Sequence, residues 1–198
     1  MTDDKERQLP AKLGAISLAR HGKPKVRRHG WCDRDGFDTW WSAYEATGLN
    51  PKSLPPEVLV QEAARATLIY MSPKQRAMET ARAVAGERMV EVDELFLEAP
   101  LPAPPLPIQM PVSAWWVLSR LYWFFGFRGD FEHRAATKAR ADEATDFLIQ
   151  QAAKGDVLVC GHGWFNRMVG WRLSRRGWRK IYDGGDAFWG WRKYLPPE

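Results

Sequence analysis

Cysteine is scarce: Cys32 and Cys160 are the only two in 198 residues, and neither belongs to a CxxC pair or a His/Cys cluster at metal-ligand spacing. This excludes a disulfide-stapled secreted scaffold and a zinc module, and leaves two reduced thiols in a cytosolic chain as the expectation. Long apolar runs are missing as well. The longest, residues 114–127, is interrupted by Ser119, Arg120 and Gly126 and falls short of the roughly 20 residues a membrane-spanning helix needs. Met1 to Gln8 are charged and polar, so no secretory signal or transit peptide is visible. A Walker-type glycine loop and an acidic metal cluster are also lacking. The chain is therefore expected to use no cofactor and no metal, to have no membrane span, and to reside in the cytoplasm.

With 45% hydrophobic residues in 198, the chain is long enough to bury one sizeable core, so a single domain over 1–198 is expected. The formal net charge of +5 and pI near 9.3 suit a negatively charged partner but do not choose among phosphate esters, nucleic acid and anionic lipid. Arg27, Arg28, Arg172, Arg175, Arg176, Arg179 and Lys180 lie among Trp171 and Trp178. No nucleic-acid recognition motif accompanies them, so they are read as a solvated basic face and no nucleic-acid partner is expected.

Along the chain, residues 13–19 (LGAISLA) predict a short buried strand running directly into Arg20-His21-Gly22. A polar loop over 23–36 precedes a predicted helix over 37–47, with Trp40, Trp41 and Tyr44 on its inner face, ended by Gly48. Pro55-Pro56 opens a helix over 57–66, and TLIYM at 67–71 predicts a strand. Ser72-Pro73 is expected to cap a helix reaching Ala85, and a third strand is expected over 88–92. Six prolines from Pro100 to Pro111 then rule out helix or central strand and predict a stiff extended connector. It leads to a Trp-rich stretch, 113–125, a long helix over 132–153, a strand over 156–160, Gly161-His162-Gly163, a helix over 165–175 and an aromatic strand near 187–191.

Strands alternating with helices of ten or more residues imply an α/β fold: three layers, α/β/α, with a mainly parallel central sheet and an inserted Pro/Trp-rich helical segment at roughly 99–130. Ligands of such sheets sit beyond the carboxyl ends of the strands. Three separate strand ends carry Arg20-His21, Ser72 with Arg76 one turn later, and His162, and these are expected to converge. Two imidazoles and two guanidinium groups at one rim suit a phosphoryl dianion, since arginine offers paired planar donors and keeps its charge. A neutral imidazole can attack phosphorus; His21 is the better nucleophile candidate, with Gly22 allowing close approach, and His162 would donate to a phosphoryl oxygen. A leaving alkoxide needs a proton. Glu98, just ahead of the proline connector, is the chosen donor, with Glu94 and Asp93 as competitors.

At these residues the sequence resembles the histidine phosphatase superfamily, also called phosphoglycerate-mutase-like. The strand with Arg20-His21-Gly22 resembles the family signature, and Ser72-Pro73-Lys74-Gln75-Arg76 through Thr80-Ala81 resembles its second block. Phe96-Leu97-Glu98 is similar to the block that ends in the proton donor, and Val157 to Gly163 to the block that ends in the second histidine. The resemblance implies His21 as nucleophile, Arg20, Arg76 and His162 as the phosphate pocket, and Glu98 as acid and then base. It implies a phosphatase acting on a phosphomonoester or a phosphorylated protein side chain. Lys23-Pro24 stands where many relatives have glutamate, the proline run replaces a glycine after the acid block, and the asparagine-rich loop of true phosphoglycerate mutases is not recognisable in 23–36. Lys23-Pro24 implies that the neighbouring loop meets a different substrate, and the missing asparagine-rich loop argues against a phosphomutase, which remains the alternative alongside a catalytically silent phospholigand-binding adaptor. The Trp-rich stretch is open as a substrate lid, a homodimer face, a membrane-surface helix or plain core packing.

Overall fold

Short aliphatic runs bounded by charged or glycine-containing turns cannot bury both faces as helices, and here they stack as the middle of a sheet. The computed structural model describes residues 13–26, 30–126 and 130–198; the amino-terminal residues, Arg27 and Arg28 lie outside that set. In chain order the elements are β1 (Ile16–Arg20), β2 (Trp31–Cys32), α1 (Arg34–Ala46), α2 (Glu57–Arg65), β3 (Leu68–Met71), α3 (Gln75–Ala85), β4 (Glu91–Val92), β5 (Met110–Pro111), α4 (Val112–Phe124), α5 (Arg134–Ala152), β6 (Val157–Gly161), α6 (Gly163–Arg175), β7 (Arg179–Asp183) and β8 (Trp191–Leu195). A single 3-10 turn, Glu94–Phe96, follows β4.

The six-stranded sheet has the order β4-β3-β6-β1-β8-β7. The pairs β4/β3, β3/β6 and β6/β1 are parallel, while β8 and β7 close one edge antiparallel. Strand β6 is buried along its whole length, as expected where helices cover both faces. On one face α5 and α6 pack against Ile16, Leu18, Val157 and Val159. On the other, α2 and α3 cover Ala19, Ile69, Leu158 and Cys160. Cys160 is fully enclosed, and burial alone pushes its thiol up to about 12. The fold is thus a three-layer α/β/α arrangement with a mainly parallel sheet.

Small residues set how closely the layers approach. The inward face of α5 is Thr137, Ala141, Ala144, Thr145, Leu148 and Ala152, recurring every three to four residues as one helical face requires. In α3 the buried positions are Arg76, Ala77, Thr80, Ala81, Val84 and Ala85, so Arg76 is carried inward on the same face as the alanines. Beside this main body the proline segment folds back on α1. Phe37, Leu101, Ala103, Val112 and Trp115 form a third apolar cluster, flanked by the two-stranded β2/β5 ribbon.

Two sequence expectations need correction, and one strand lay outside them. The helix after Ser72-Pro73 starts at Gln75, with Lys74 in the capping position and no side-chain cap; the Ser72 hydroxyl meets His162 and the Lys74 amide, one residue short of the helix. The carboxyl-terminal strand is 191–195, not 187–191: Trp189 adopts φ 66°, which turns the chain before Trp191 can pair with Ala19. Strand β7 has every residue exposed and carries no apolar signature that would have revealed it.

Candidate active site

Register brings the site together. Arg20 of β1 pairs with Gly161 of β6, and Met71 of β3 pairs with Cys160 of β6, so β1 and β6 end level and β3 one residue earlier. The next residues are His21, Ser72 and His162. The exits are tied by main-chain bonds, His21 N–H to the Gly161 carbonyl (2.9 Å) and Ser72 N–H to the Cys160 carbonyl (3.2 Å).

The His21 and His162 rings lie with centroids 5.4 Å apart, and both are buried. His21 Nδ1 is 2.8 Å from the Gly22 carbonyl. A carbonyl only accepts, so Nδ1 carries the proton and the lone pair resides on Nε2. The Gly22 amide is itself held by the Thr80 hydroxyl (2.9 Å), which donates to the Arg76 carbonyl (2.7 Å). Thr80 therefore locks the nucleophile loop to α3, a role its place in the sequence did not reveal. The glycine at 22 is required by packing: a Cβ there would stand 2.3 Å from the Trp189 indole. This indole is fixed by Ser53, its Nε1–H donating to the hydroxyl at 2.8 Å.

His162 is fully buried, with Nε2 2.9 Å from Ser72 Oγ and Nδ1 3.4 Å from a terminal nitrogen of Arg76. A guanidinium has no acceptor, so Nδ1 accepts and Nε2–H donates to the serine. Burial above all, then Arg76, His21, Lys74 and Arg20, hold His162 well below the usual imidazole range, which leaves the ring neutral at neutral pH.

The Arg76 guanidinium donates to the Tyr44 and Glu45 carbonyls at the end of α1 (3.1 and 3.2 Å) and to Glu45 Oε1 (2.7 Å). Lys74 reaches the second oxygen, Glu45 Oε2, at 2.7 Å. One carboxylate thus spans two cations as an oxyanion would. Neither Glu45 nor Lys74 was singled out from sequence, since nothing in the helix pattern signals where the end of α1 docks. Arg20 packs against the start of α6, so closely that a Cβ on Gly163 would be 3.1 Å from its Nε. It also donates to the Asp186 carbonyl and stacks 4.6 Å from the Phe188 ring. Phe188, in the turn between β7 and β8, and Tyr44 flank His21, with centroids 5.7 and 6.4 Å away.

Glu98 sits at the amino end of α6, next to His162. Its Oε1 accepts from Phe165 N–H (2.9 Å) and Ala99 N–H (2.9 Å), and its Oε2 from Trp164 N–H (3.2 Å), a carboxylate on a helix amino terminus. The segment carrying it is clamped by Arg140 of α5, which donates to the Leu95 and Leu97 carbonyls (2.9 and 2.8 Å) while pairing with Glu132. Of the competitors, Asp93 is consumed in capping the 3-10 turn, and Glu94 faces solvent. Glu98, Glu45, Lys74, Trp41 and Pro100 line one cleft of about 570 Å³. The structure thus gathers Arg20, His21, Arg76 and His162, with Glu98 at their edge.

The sequence model described as histidine phosphatase superfamily (branch 1) matches residues 16–183. Among solved structures, a mycobacterial glucosyl-3-phosphoglycerate phosphatase in complex with VO3 superposes with a TM-score of 0.56 at 18% identity, covering 91% of this chain and 92% of that one. A phosphoserine phosphatase mutant from Entamoeba histolytica in complex with phosphoserine superposes at 0.52 and 18% identity, covering 82% and 81%. None of the curated proteins matches the sequence significantly. With the family model spanning most of its length, from the first strand to the end of β7, the chain belongs to the histidine phosphatase superfamily.

Proposed function

We propose that the protein is a metal-independent phosphatase that hydrolyses a phosphomonoester or a phosphorylated protein side chain through a phosphohistidine on His21. The observation that carries this reading is the pairing of a buried His21, its lone pair on Nε2, with a second imidazole and a guanidinium. In the first step Nε2 attacks phosphorus and the ester P–O bond breaks. Arg20 and Arg76 hold the phosphoryl oxygens as charge builds, and neutral His162 joins them when its Nε2–H leaves the Ser72 hydroxyl for a phosphoryl oxygen. Glu98, rotated off the α6 amides toward the cleft and protonated there from solvent, gives that proton to the departing alkoxide. In the second step the Glu98 carboxylate takes a proton from water, whose oxygen attacks phosphorus. The N–P bond breaks, and orthophosphate leaves with His21 restored. The similarity to a glucosyl-3-phosphoglycerate phosphatase and a phosphoserine phosphatase fits a small phosphorylated substrate.

The test is hydrolysis of an aryl phosphate by purified protein in EDTA, followed by acid-free quenching after mixing with labelled substrate. Turnover that persists in chelator, with an acid-labile, alkali-stable label on the protein, is expected. No hydrolysis above background, or transfer of the label to a second phosphoglycerate in preference to water, would replace this reading with an adaptor or a mutase.

A substrate phosphoryl group gripped by Arg76 has to displace the Glu45 carboxylate. Glu45→Gln removes the competing charge while keeping the shape, and is expected to lower KM and the inhibition constant of orthophosphate by about tenfold, with kcat changed little. An unchanged or raised KM would show that the carboxylate does not compete with substrate.

A further inference from the structure

Helix α4 carries large apolar side chains on both faces: Val112, Trp115 and Trp123 are buried on the inside. Its inward face includes Ser119 and Arg120, 0% and 8% exposed, while Val117, Leu121 and Phe124 point outward at 59%, 46% and 39%, and Phe125 just beyond its end is 73% exposed. These four lie at spacings of three to four residues, so they form one strip. Arg120 is held inside by the Pro100 carbonyl (3.0 Å) and by the Trp123 and Trp164 rings, each 5.1 Å from its guanidinium carbon. Although burial lowers it to about 10, it stays charged at neutral pH. A helix that turns an arginine inward and four large apolar side chains outward is built for contact with something other than water.

What surrounds the strip identifies the contact. At Phe124 it runs into a groove of about 570 Å³ between α4, α5 and α6, floored by aromatic side chains that include Trp171, itself 52% exposed. The rim of that groove is cationic. Arg134 lies 3.9 Å over the Phe124 ring, and Lys138 and Arg175 complete the edge. Among the described residues none of these three is paired with a carboxylate, whereas the nearby Asp142 and Asp146 are taken by Arg172 and Arg176. Apolar side chains at the centre and unneutralised cations at the edge match a bilayer interface carrying anionic headgroups. A second copy of the chain is a poorer match, because a two-fold contact would set Arg134, Lys138 and Arg175 against cations like themselves. Contact with the bilayer is superficial, since no helix among the described residues is long and apolar enough to cross a membrane.

We propose that the outer face of α4 and the adjoining groove form a docking surface for membranes bearing anionic phospholipid, with Leu121, Phe124, Phe125 and Trp171 entering the interface and Arg134, Lys138 and Arg175 engaging headgroup phosphates. The proposal stands independently of the chemistry at His21. It is tested with the full chain by flotation against vesicles of phosphatidylcholine alone or of phosphatidylcholine mixed with phosphatidylglycerol, with tryptophan emission as a second readout. Binding at least about tenfold tighter to the mixed vesicles is expected, weakened by salt and accompanied by a blue shift. Leu121→Asp with Phe125→Asp is expected to abolish flotation while aryl phosphatase activity and circular dichroism stay those of the parent. Lys138→Glu with Arg175→Glu is expected to erase the preference for the anionic vesicles. The proposal is overturned by absence of flotation or by flotation indifferent to both pairs of substitutions. It is equally overturned if the parent sediments as a dimer that the Leu121→Asp, Phe125→Asp protein does not form, since the face then belongs to a second copy.

Discussion

His21→Ala is expected to leave a folded protein whose turnover of an aryl phosphate is lower by at least about 10⁴-fold. The imidazole supplies the bond-forming atom, and no neighbour is placed to substitute: His162 Nε2 carries a proton directed at Ser72 and Nδ1 faces Arg76. The binding groups remain, so the variant should still take up orthophosphate or a slow ester with an affinity close to that of the parent. This separation of lost chemistry from retained binding distinguishes a nucleophile from a structural histidine. Calorimetric titration with orthophosphate, beside kinetics on the same preparation, makes the measurement. Turnover within a factor of about ten of the parent would end the covalent mechanism.

Arg76→Met is expected to lower kcat/KM by about 10³-fold. Methionine fills a comparable volume on the buried face of α3, so the variant tests charge and donors more than packing. In the parent the guanidinium faces His162 and is held by Glu45. Removing it withdraws the phosphoryl grip and the competition together. The two sites share a partner and should not be additive: the improvement in KM from Glu45→Gln should shrink or vanish when Arg76 is methionine. A double-mutant cycle on KM and on orthophosphate inhibition reads this directly. A full gain from Glu45→Gln in the methionine background would mean that the carboxylate acts through Lys74 alone.

Much of the architecture could be read before any coordinates because the relevant signals are local. ISLAR, LIYM and VLVCG are short aliphatic runs bounded by turns, and each is a central parallel strand. The superfamily was legible because its blocks lie at strand exits, where residue type and position are constrained together. What stayed hidden depends on how distant parts dock. Strand β7 is an exposed edge whose residues, RKIYD, alternate no apolar face. The run at 187–191 has the composition of a strand, but Trp189 must turn to cover Gly22. Thr80, Lys74 and Glu45 are ordinary helix or turn residues until α1 and α3 meet. The inward arginine of α4 has the same cause, since composition shows an apolar helix with one arginine and only packing decides which side the arginine takes.

The fixed register of β1, β3 and β6 makes the site unusually intolerant of sliding between strands. A single-residue slip of β6 past its neighbours would carry His162 by about 3.3 Å along the sheet and invert every side chain of that strand from one face to the other. Cys160 and Leu158 would then exchange sides with Val157 and Val159, costing both cores at once. Faulty alignment is therefore eliminated through misfolding, and any molecule that folds arrives with its imidazoles already in step.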